Sequence, residues 1–234
     1  TRMHFSPAAV WPVAAEGKVF IADPQRALTA IDLENGKTVW RTFESQVRET
    51  VGLSEDGKQI YSKTMNDSIV CFATQGDVPK KLWASNVGFG YEHAPSMPQE
   101  KEGVMYGSTK EGLIFALDAQ TGEQIWRTNQ YKVRETVGIS EDGKMVYSKC
   151  MWDTIVALDA TTNDVQVHWI SNANFGYEHN PAMPLEKDGT LWVSTKNGVL
   201  LGMDAATGKV LWRHKIGNSI LNTPLPLSHK ECIF

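Results

Sequence analysis

Polar residues that could act as acids, bases or ligands recur in this chain at a separation of 86 residues. The sequence VRETVG at residues 47–52 returns at 133–138, and FGYEH at 89–93 returns at 175–179. These copies supply the candidate binding residues Arg48, Glu49, Arg134, Glu135, Tyr91, Glu92, His93, Tyr177, Glu178 and His179. Four lysines after apolar segments join them: Lys63, Lys110, Lys149 and Lys196. Charged and aromatic groups that converge on one surface are typical of a binding site.

Catalysis is poorly supported by the same residues. His93 and Glu92 have the chemistry of an acid and a base, but no nucleophile lies beside them in the sequence. His93 and His179 do not have the spacing of metal ligands. The repeated Arg-Glu and Glu-His pairs also fit a structural role, in which they pair across neighbouring blades and give the polar groups of a buried channel their hydrogen-bond partners. We therefore predict no catalytic residue and no metal ligand, and ligand binding remains a hypothesis beside the structural interpretation.

Five tryptophans mark the elements that must position these residues. They lie 43 residues apart: Trp40, Trp83, Trp126, Trp169 and Trp212. A fixed period of this length is typical of solenoids and propellers. Each period holds four short apolar segments separated by glycine turns, and no sustained helical stripe. The sequence predicts an all-β propeller of four-stranded antiparallel blades, in which each tryptophan closes the outermost strand and packs between blades.

The blades are predicted along a single propeller domain at residues 1–234. The predicted boundaries are 5–43, 44–85, 86–129, 130–171 and 172–215, with a partial blade at 216–234. This gives about five and a half blades, counted from those boundaries. An open arc leaves a blade edge exposed, which is a liability for aggregation or dimerisation. The polar candidates fall in the loops between blades and in the turns between second and third strands, so we expect them around one mouth of the central channel.

Composition narrows the class of partner. A net charge of −4 and a pI of about 5.9 argue against nucleic acid, and no apolar run is long enough to insert into a membrane. Cys71, Cys150 and Cys232 do not follow the repeat and form no CxxC pair, so neither a disulfide framework nor a zinc site is expected. A protein partner or a small ligand remains, and the oligomeric state is left open.

The sequence ALDAQTGEQIW at residues 116–126 resembles the repeat of PQQ-like β-propellers, and related segments lie at 30–40 and 203–212. That family includes quinoprotein alcohol dehydrogenases, BamB-like assembly lipoproteins and propellers attached to bacterial sensor kinases or calcineurin-like phosphoesterases. The resemblance implies a ring of seven or eight blades in a bacterial periplasmic or extracellular protein. Every second unit departs from the pattern: ten residues separate Asp159 from Trp169 where eight separate Asp118 from Trp126, and Ala73 replaces the aspartate. We expect longer outer hairpins in those units.

The functional prediction is a non-catalytic scaffold whose polar funnel face binds a protein or a small ligand. One alternative is a fragment of a PQQ-dependent dehydrogenase. The resemblance implies a vicinal disulfide over the quinone in such enzymes, and the three cysteines here are far apart. PQQ is therefore disfavoured and no cofactor is predicted. The other alternative is an accessory propeller of a metallophosphoesterase or a sensor kinase, although metal-ligand motifs such as Asp-x-His do not occur.

Overall fold

A computed structural model describes residues 12–23, 25–48, 51–91, 97–109, 111–134, 137–177 and 182–218 of the chain. Within these ranges there are twenty strands and no helix, arranged as five sheets of four strands. Every sheet is an antiparallel meander in which strands adjacent in sequence are adjacent in space. The predicted all-β propeller fold with four-stranded blades is confirmed.

Blades 1, 3 and 5 share one design, in which every strand is short. Their strands are β1 (Val13–Ala15), β2 (Lys18–Ala22), β3 (Leu28–Asp32) and β4 (Thr38–Thr42) in blade 1; β9 (Gln99–Lys101), β10 (Val104–Ser108), β11 (Ile114–Asp118) and β12 (Gln124–Thr128) in blade 3; and β17 (Leu185–Lys187), β18 (Thr190–Ser194), β19 (Val199–Asp204) and β20 (Val210–Lys215) in blade 5.

Blades 2 and 4 have longer outer hairpins, as the spacing between Asp159 and Trp169 predicts. Their strands are β5 (Gly52–Leu53), β6 (Gln59–Lys63), β7 (Asn66–Ala73) and β8 (Lys81–Tyr91) in blade 2, and β13 (Gly138–Ile139), β14 (Met145–Lys149), β15 (Trp152–Asp159) and β16 (Val167–Tyr177) in blade 4. The fourth strands have 11 residues, against five or six in the other blades.

Local turn chemistry accounts for the outer hairpins of blades 1, 3 and 5. The Asp118 carboxylate accepts hydrogen bonds from the backbone amides of Gln120 and Thr121 at 2.9 and 2.7 Å. Gly122 then adopts a φ of +76°, which glycine accepts without steric cost. Because the side chain of the aspartate satisfies amides that the turn would otherwise leave unpaired, the sequence Asp-x-x-Thr-Gly closes the hairpin in blades 3 and 5, and Asp-x-x-Asn-Gly closes it in blade 1.

The apolar core lies between the blades, in four clusters that each join two neighbours. Trp40 and Trp126 are buried in the clusters between blades 1 and 2 and between blades 3 and 4. Trp169 is buried between blades 4 and 5, and Trp83 packs against the cluster between blades 2 and 3. Trp212 of blade 5 remains 37% exposed and packs against Trp192 of its own blade, with 5.2 Å between ring centroids.

One sequence prediction about the blades needs correction, and another lies mostly outside the described ranges. Tyr91 and Tyr177 were expected in loops between blades, but their backbones end β8 and β16. These fourth strands therefore extend beyond the predicted blade boundaries at 85 and 171, because the long third strands give them partners, with Asn66 opposite Tyr91 and Trp152 opposite Tyr177. Of the predicted partial blade, only residues 216–218 are described.

Candidate functional site

The predicted polar end forms where the loop between blades meets the turn after the second strand. The Arg48 amide donates to the Lys63 carbonyl at 2.6 Å, and the Arg134 amide donates to the Lys149 carbonyl at 2.5 Å. Val47 forms an isolated bridge with Thr64 beside the first of these contacts. The arginine and lysine candidates of blades 2 and 4 therefore do lie together.

Lys63 and Lys149 are nevertheless fully buried, which contradicts their predicted place on an open funnel face. Their Nζ atoms donate to the backbone carbonyls of Ser108 and Ser194 in the next blade, at 3.3 and 3.2 Å. Burying an ammonium group is unfavourable unless it is hydrogen-bonded, and these carbonyls provide such bonds. The two lysines join neighbouring blades. In blade 5 the corresponding strand ends at Ser194, and Lys196, two residues further along the chain, is exposed.

The two arginines are also largely withdrawn from solvent. Arg134 is 5% exposed. Arg48 is half-buried and directs Nη1 toward the Met65 sulfur at 3.2 Å, and its buried Nε finds no hydrogen-bond acceptor among the described residues. The backbones of Tyr91 and Tyr177 end β8 and β16. The remaining candidates lie outside the described residues: Glu49, Glu92, His93, Lys110, Glu135, Glu178 and His179.

Reactive groups are not prominent in the described part of the chain. It contains no cluster of three or more His, Cys, Asp or Glu side chains that could hold a metal ion. Cys71 and Cys150 are buried free thiols. Burial raises the pKa of the Cys150 thiol to about 12 and also raises the pKa of Cys71, so both remain protonated and unreactive near neutral pH. None of the described residues belongs to a helix long and apolar enough to cross a bilayer.

A cavity of about 590 Å³ lies at the opposite end of the blades, between blades 2 and 3. Its acidic lining is already engaged in structural contacts. Glu100 accepts from the backbone amides of Glu55 and Gly103 at 2.6 and 2.7 Å, and Glu55 forms an ion pair with Lys101. The hydrogen bond from Lys101 holds the pKa of Glu55 below its ordinary value. These carboxylates stabilise the junction between the two blades.

The same polar contacts recur between blades 4 and 5. The Glu141 amide donates to Glu186 at 2.7 Å, and Glu141 forms an ion pair with Lys187. The hydrogen bond from Lys187 lowers the pKa of Glu141. The sequence EDGK, which begins with the first glutamate of each contact, occurs at 55–58 and 141–144. Its repetition at 86 residues, with each glutamate placed 45 residues before another, was the signal for this interblade contact.

Trp83 and Trp169 bind the hairpin of the following blade. Trp83 Nε1 donates to the Ala119 carbonyl at 3.0 Å, and Trp169 Nε1 donates to the Ala205 carbonyl at 2.9 Å. The Trp83 ring packs so closely on Gly122 that a Cβ there would lie 2.6 Å from it. The threonine-glycine turn of one blade is thus the receptor for the tryptophan of the blade before it.

Five four-stranded blades joined by tryptophan contacts define this chain as a β-propeller built from PQQ-like repeats. A family model described as outer membrane protein assembly factor BamB matches residues 66–166 and 153–231, well over half of the 234 residues. The chain belongs to the BamB family.

Individual relatives agree with this assignment. A BamB protein of Nitrosomonas eutropha is 27% identical over 162 residues, covering 68% of this chain and 38% of the relative. The crystal structure of BamB from Moraxella catarrhalis superposes with a TM-score of 0.73 at 17% identity, covering 93% of this chain and 64% of that one. A quinohemoprotein alcohol dehydrogenase from Comamonas testosteroni gives 0.66 at 15% identity, covering 87% and 42%. At such identities the structural likeness shows the fold alone. The chain spans less than two thirds of each of these proteins.

Proposed function

We propose that this chain is the non-catalytic propeller scaffold of a factor for outer-membrane protein assembly, and that it works by binding another protein. The observation that carries the proposal is the match to the BamB family model over residues 66–166 and 153–231. Relatives in that family are named as assembly factors, and an assembly factor acts through contacts with polypeptides. The burial of Lys63 and Lys149 supports a non-catalytic role, because their ammonium groups bond to the next blade and are not available to act on a substrate.

The proposal extends to location, domain and cofactor. Outer-membrane assembly places the protein outside the cytoplasm of a bacterium, in the periplasm. The five described blades belong to one propeller domain, and no cofactor takes part. Binding at the polar end, around Arg48, is retained as the proposed partner surface, with the buried Lys63 and Lys149 excluded from it.

Cross-linking in living cells tests the partner class. The tagged full-length protein is cross-linked in the bacterium that produces it, and proteins joined to it are identified. We expect outer-membrane proteins or components of their assembly apparatus to be enriched. A matched variant carrying Arg48→Ala, His93→Ala and His179→Ala should lose them if the polar end is the binding surface, while its thermal midpoint shows that it still folds. Enrichment of a kinase or a phosphoesterase instead would support the accessory-domain alternative.

A separate titration addresses the dehydrogenase alternative. PQQ and calcium are added to the full-length protein, and the protein fraction is examined for quinone absorbance after gel filtration. We expect none to be retained, because no described side-chain cluster is arranged to hold the metal. Retained chromophore would replace the scaffold proposal with an oxidoreductase.

A further inference from the structure

The chain contains two equivalent surface grooves, one between blades 1 and 2 and one between blades 3 and 4. Groove A has a volume of about 350 Å³ and its lining includes Ser45, Gln46, Thr64, Met65 and Ala84. Groove B, about 240 Å³, is lined at the positions 86 residues later by Tyr131, Lys132, Cys150, Met151 and Ile170, and also by Trp152. Because both grooves lie at equivalent places in the repeat, a residue found in only one of them is not needed to form the fold.

Groove B is much more apolar than groove A. Tyr131 stands where groove A has Ser45, and Ile170 stands where it has Ala84. Trp152 takes the position of Asn66 in the repeat. Trp152 is 64% exposed and Ile170 is 55% exposed. Leaving such side chains in water is unfavourable by about 25 cal/mol per Å² of apolar surface.

Because blade 2 forms without these large apolar groups, blade packing does not explain them. A cluster of exposed apolar side chains that the fold does not need is typical of an interaction surface.

Groove B also has fewer charged residues than groove A. In groove A, Glu44 forms an ion pair with Lys81. The equivalent residues around groove B are Gln130 and Val167, and Val167 is 38% exposed. Lys132 is the single charged residue among the described lining residues of groove B, and its exposed ammonium group makes no ion pair with any described residue. Groove B therefore presents apolar walls beside one positive charge.

We propose that groove B binds an extended acidic segment of a partner polypeptide, inserting one large apolar side chain between Trp152 and Ile170 and placing a neighbouring carboxylate against Lys132. A groove of about 240 Å³ is below the usual range of roughly 300–1,000 Å³ for small-molecule sites and suits a side chain. The inference deepens the proposed function and rests on it only for the statement that the partner is a protein.

Fluorescence anisotropy of a labelled peptide tests the inference on the full-length protein. The probe is a short peptide in which phenylalanine alternates with aspartate, compared with peptides carrying lysine for aspartate or alanine for phenylalanine. We expect only the first to bind well. The double variant Trp152→Asn with Ile170→Ala reproduces residues of blade 2 and should weaken binding about tenfold or more, as loss of a central apolar anchor does. Lys132→Gln should weaken binding of the acidic peptide a few-fold and leave that of a neutral phenylalanine peptide unchanged.

Transfer of the groove provides the converse test. Ser45→Tyr, Asn66→Trp and Ala84→Ile together give groove A the residues of groove B, and we expect a second peptide to bind per chain. Thermal midpoints verify folding, and if the double variant does not fold, Ile170→Ala alone supplies the comparison. Equal affinity of wild type and variant would overturn the inference, as would equal binding of the lysine peptide. Concentration-dependent dimerisation abolished by the double variant would assign groove B to a second copy instead.

The peptide-binding experiment and the cross-linking experiment can fail independently of each other. Cross-links to outer-membrane assembly proteins that persist without any peptide binding would refute the groove inference alone. Peptide binding without such cross-links would leave groove B as a binding site and refute the assembly role.

Discussion

The junctions between blades are of two kinds, and they alternate along the chain. Between blades 2 and 3 and between blades 4 and 5, a tryptophan N–H bonds to a carbonyl of the next blade, a glutamate pairs with a lysine, and a buried lysine bonds to a serine carbonyl. Arg127 adds a bond to the Val87 carbonyl at 2.6 Å, and Arg213 adds one to the Ala173 carbonyl at 3.0 Å. We call these the latched junctions.

The junctions between blades 1 and 2 and between blades 3 and 4 depend mainly on apolar packing, and we call them the packed junctions. Trp40 and Trp126 are buried there in apolar clusters. The buried Nε1 of Trp40 has no hydrogen-bond partner among the described residues. The reason lies in the following blade. In blade 2 Ala73 replaces the aspartate that closes the tight hairpin, and in blade 4 Asp159 is kept but Asn163 stands at the position of the glycine, so both blades lack the threonine-glycine turn that binds a tryptophan. The latched junctions therefore join blade 2 to blade 3 and blade 4 to blade 5. The grooves lie at the packed junctions.

The largest difference is expected from glycine substitutions in the receptor turn. Gly122→Ala places a methyl group 2.6 Å from the Trp83 ring, and Gly208→Ala places one 2.4 Å from the Trp169 ring, each at positive φ. Overpacking and backbone strain together should lower the free energy of unfolding by about 2–4 kcal/mol. Gly36→Ala is the matched control, because that glycine has φ +70° and no atom within 4 Å of the added carbon. It should lose only about 1 kcal/mol. Chemical denaturation measures all three, and equal losses would contradict the assignment of a receptor turn.

A smaller difference is expected between two Trp→Phe variants. Trp83→Phe removes a hydrogen bond at a latched junction and leaves the Ala119 carbonyl without its indole donor. Trp40→Phe removes a donor that has no described acceptor. Both lose similar apolar contact, so Trp83→Phe should be more destabilising by about 1–2 kcal/mol in equilibrium unfolding. A larger loss for Trp40→Phe would reverse the ranking of the two junctions.

The smallest effect is expected from acid. The pKa values of Glu55 and Glu141 are held below the ordinary 4.5, first by hydrogen bonds from Lys101 and Lys187 and then by backbone amides. A carboxylate with a depressed pKa in the folded state stabilises that state above its unfolded pKa and loses the contribution as pH falls through its folded pKa. The thermal midpoint should therefore decrease as the pH is lowered from about 4.5. In the double variant Glu55→Gln with Glu141→Gln, acid should decrease the thermal midpoint less than in the wild type. The control variant Glu34→Gln, on an exposed turn, should show the same decrease as the wild type.

Local patterns carried most of the fold prediction. The tryptophan period and the glycine turns specify strand number and blade size, because hairpins form between segments adjacent in sequence. The polar surface was predicted less well. Lys63 and Lys149 were expected on an open face, but they are buried against carbonyls 45 residues away. A lysine at the end of a strand has the same local sequence whether its ammonium group meets water or the next blade.

The sequence by itself determined the repeat, the alternation of two blade types and the longer hairpins of blades 2 and 4, because each depends on residues within a single turn or strand. Tertiary structure alone decided which junctions are latched and which side chains come together in each groove. Trp83 and the Ala119 carbonyl, for example, are 36 residues apart and meet only when two finished blades pack together. Contacts of that kind depend on the angle and distance between blades, which no local pattern encodes.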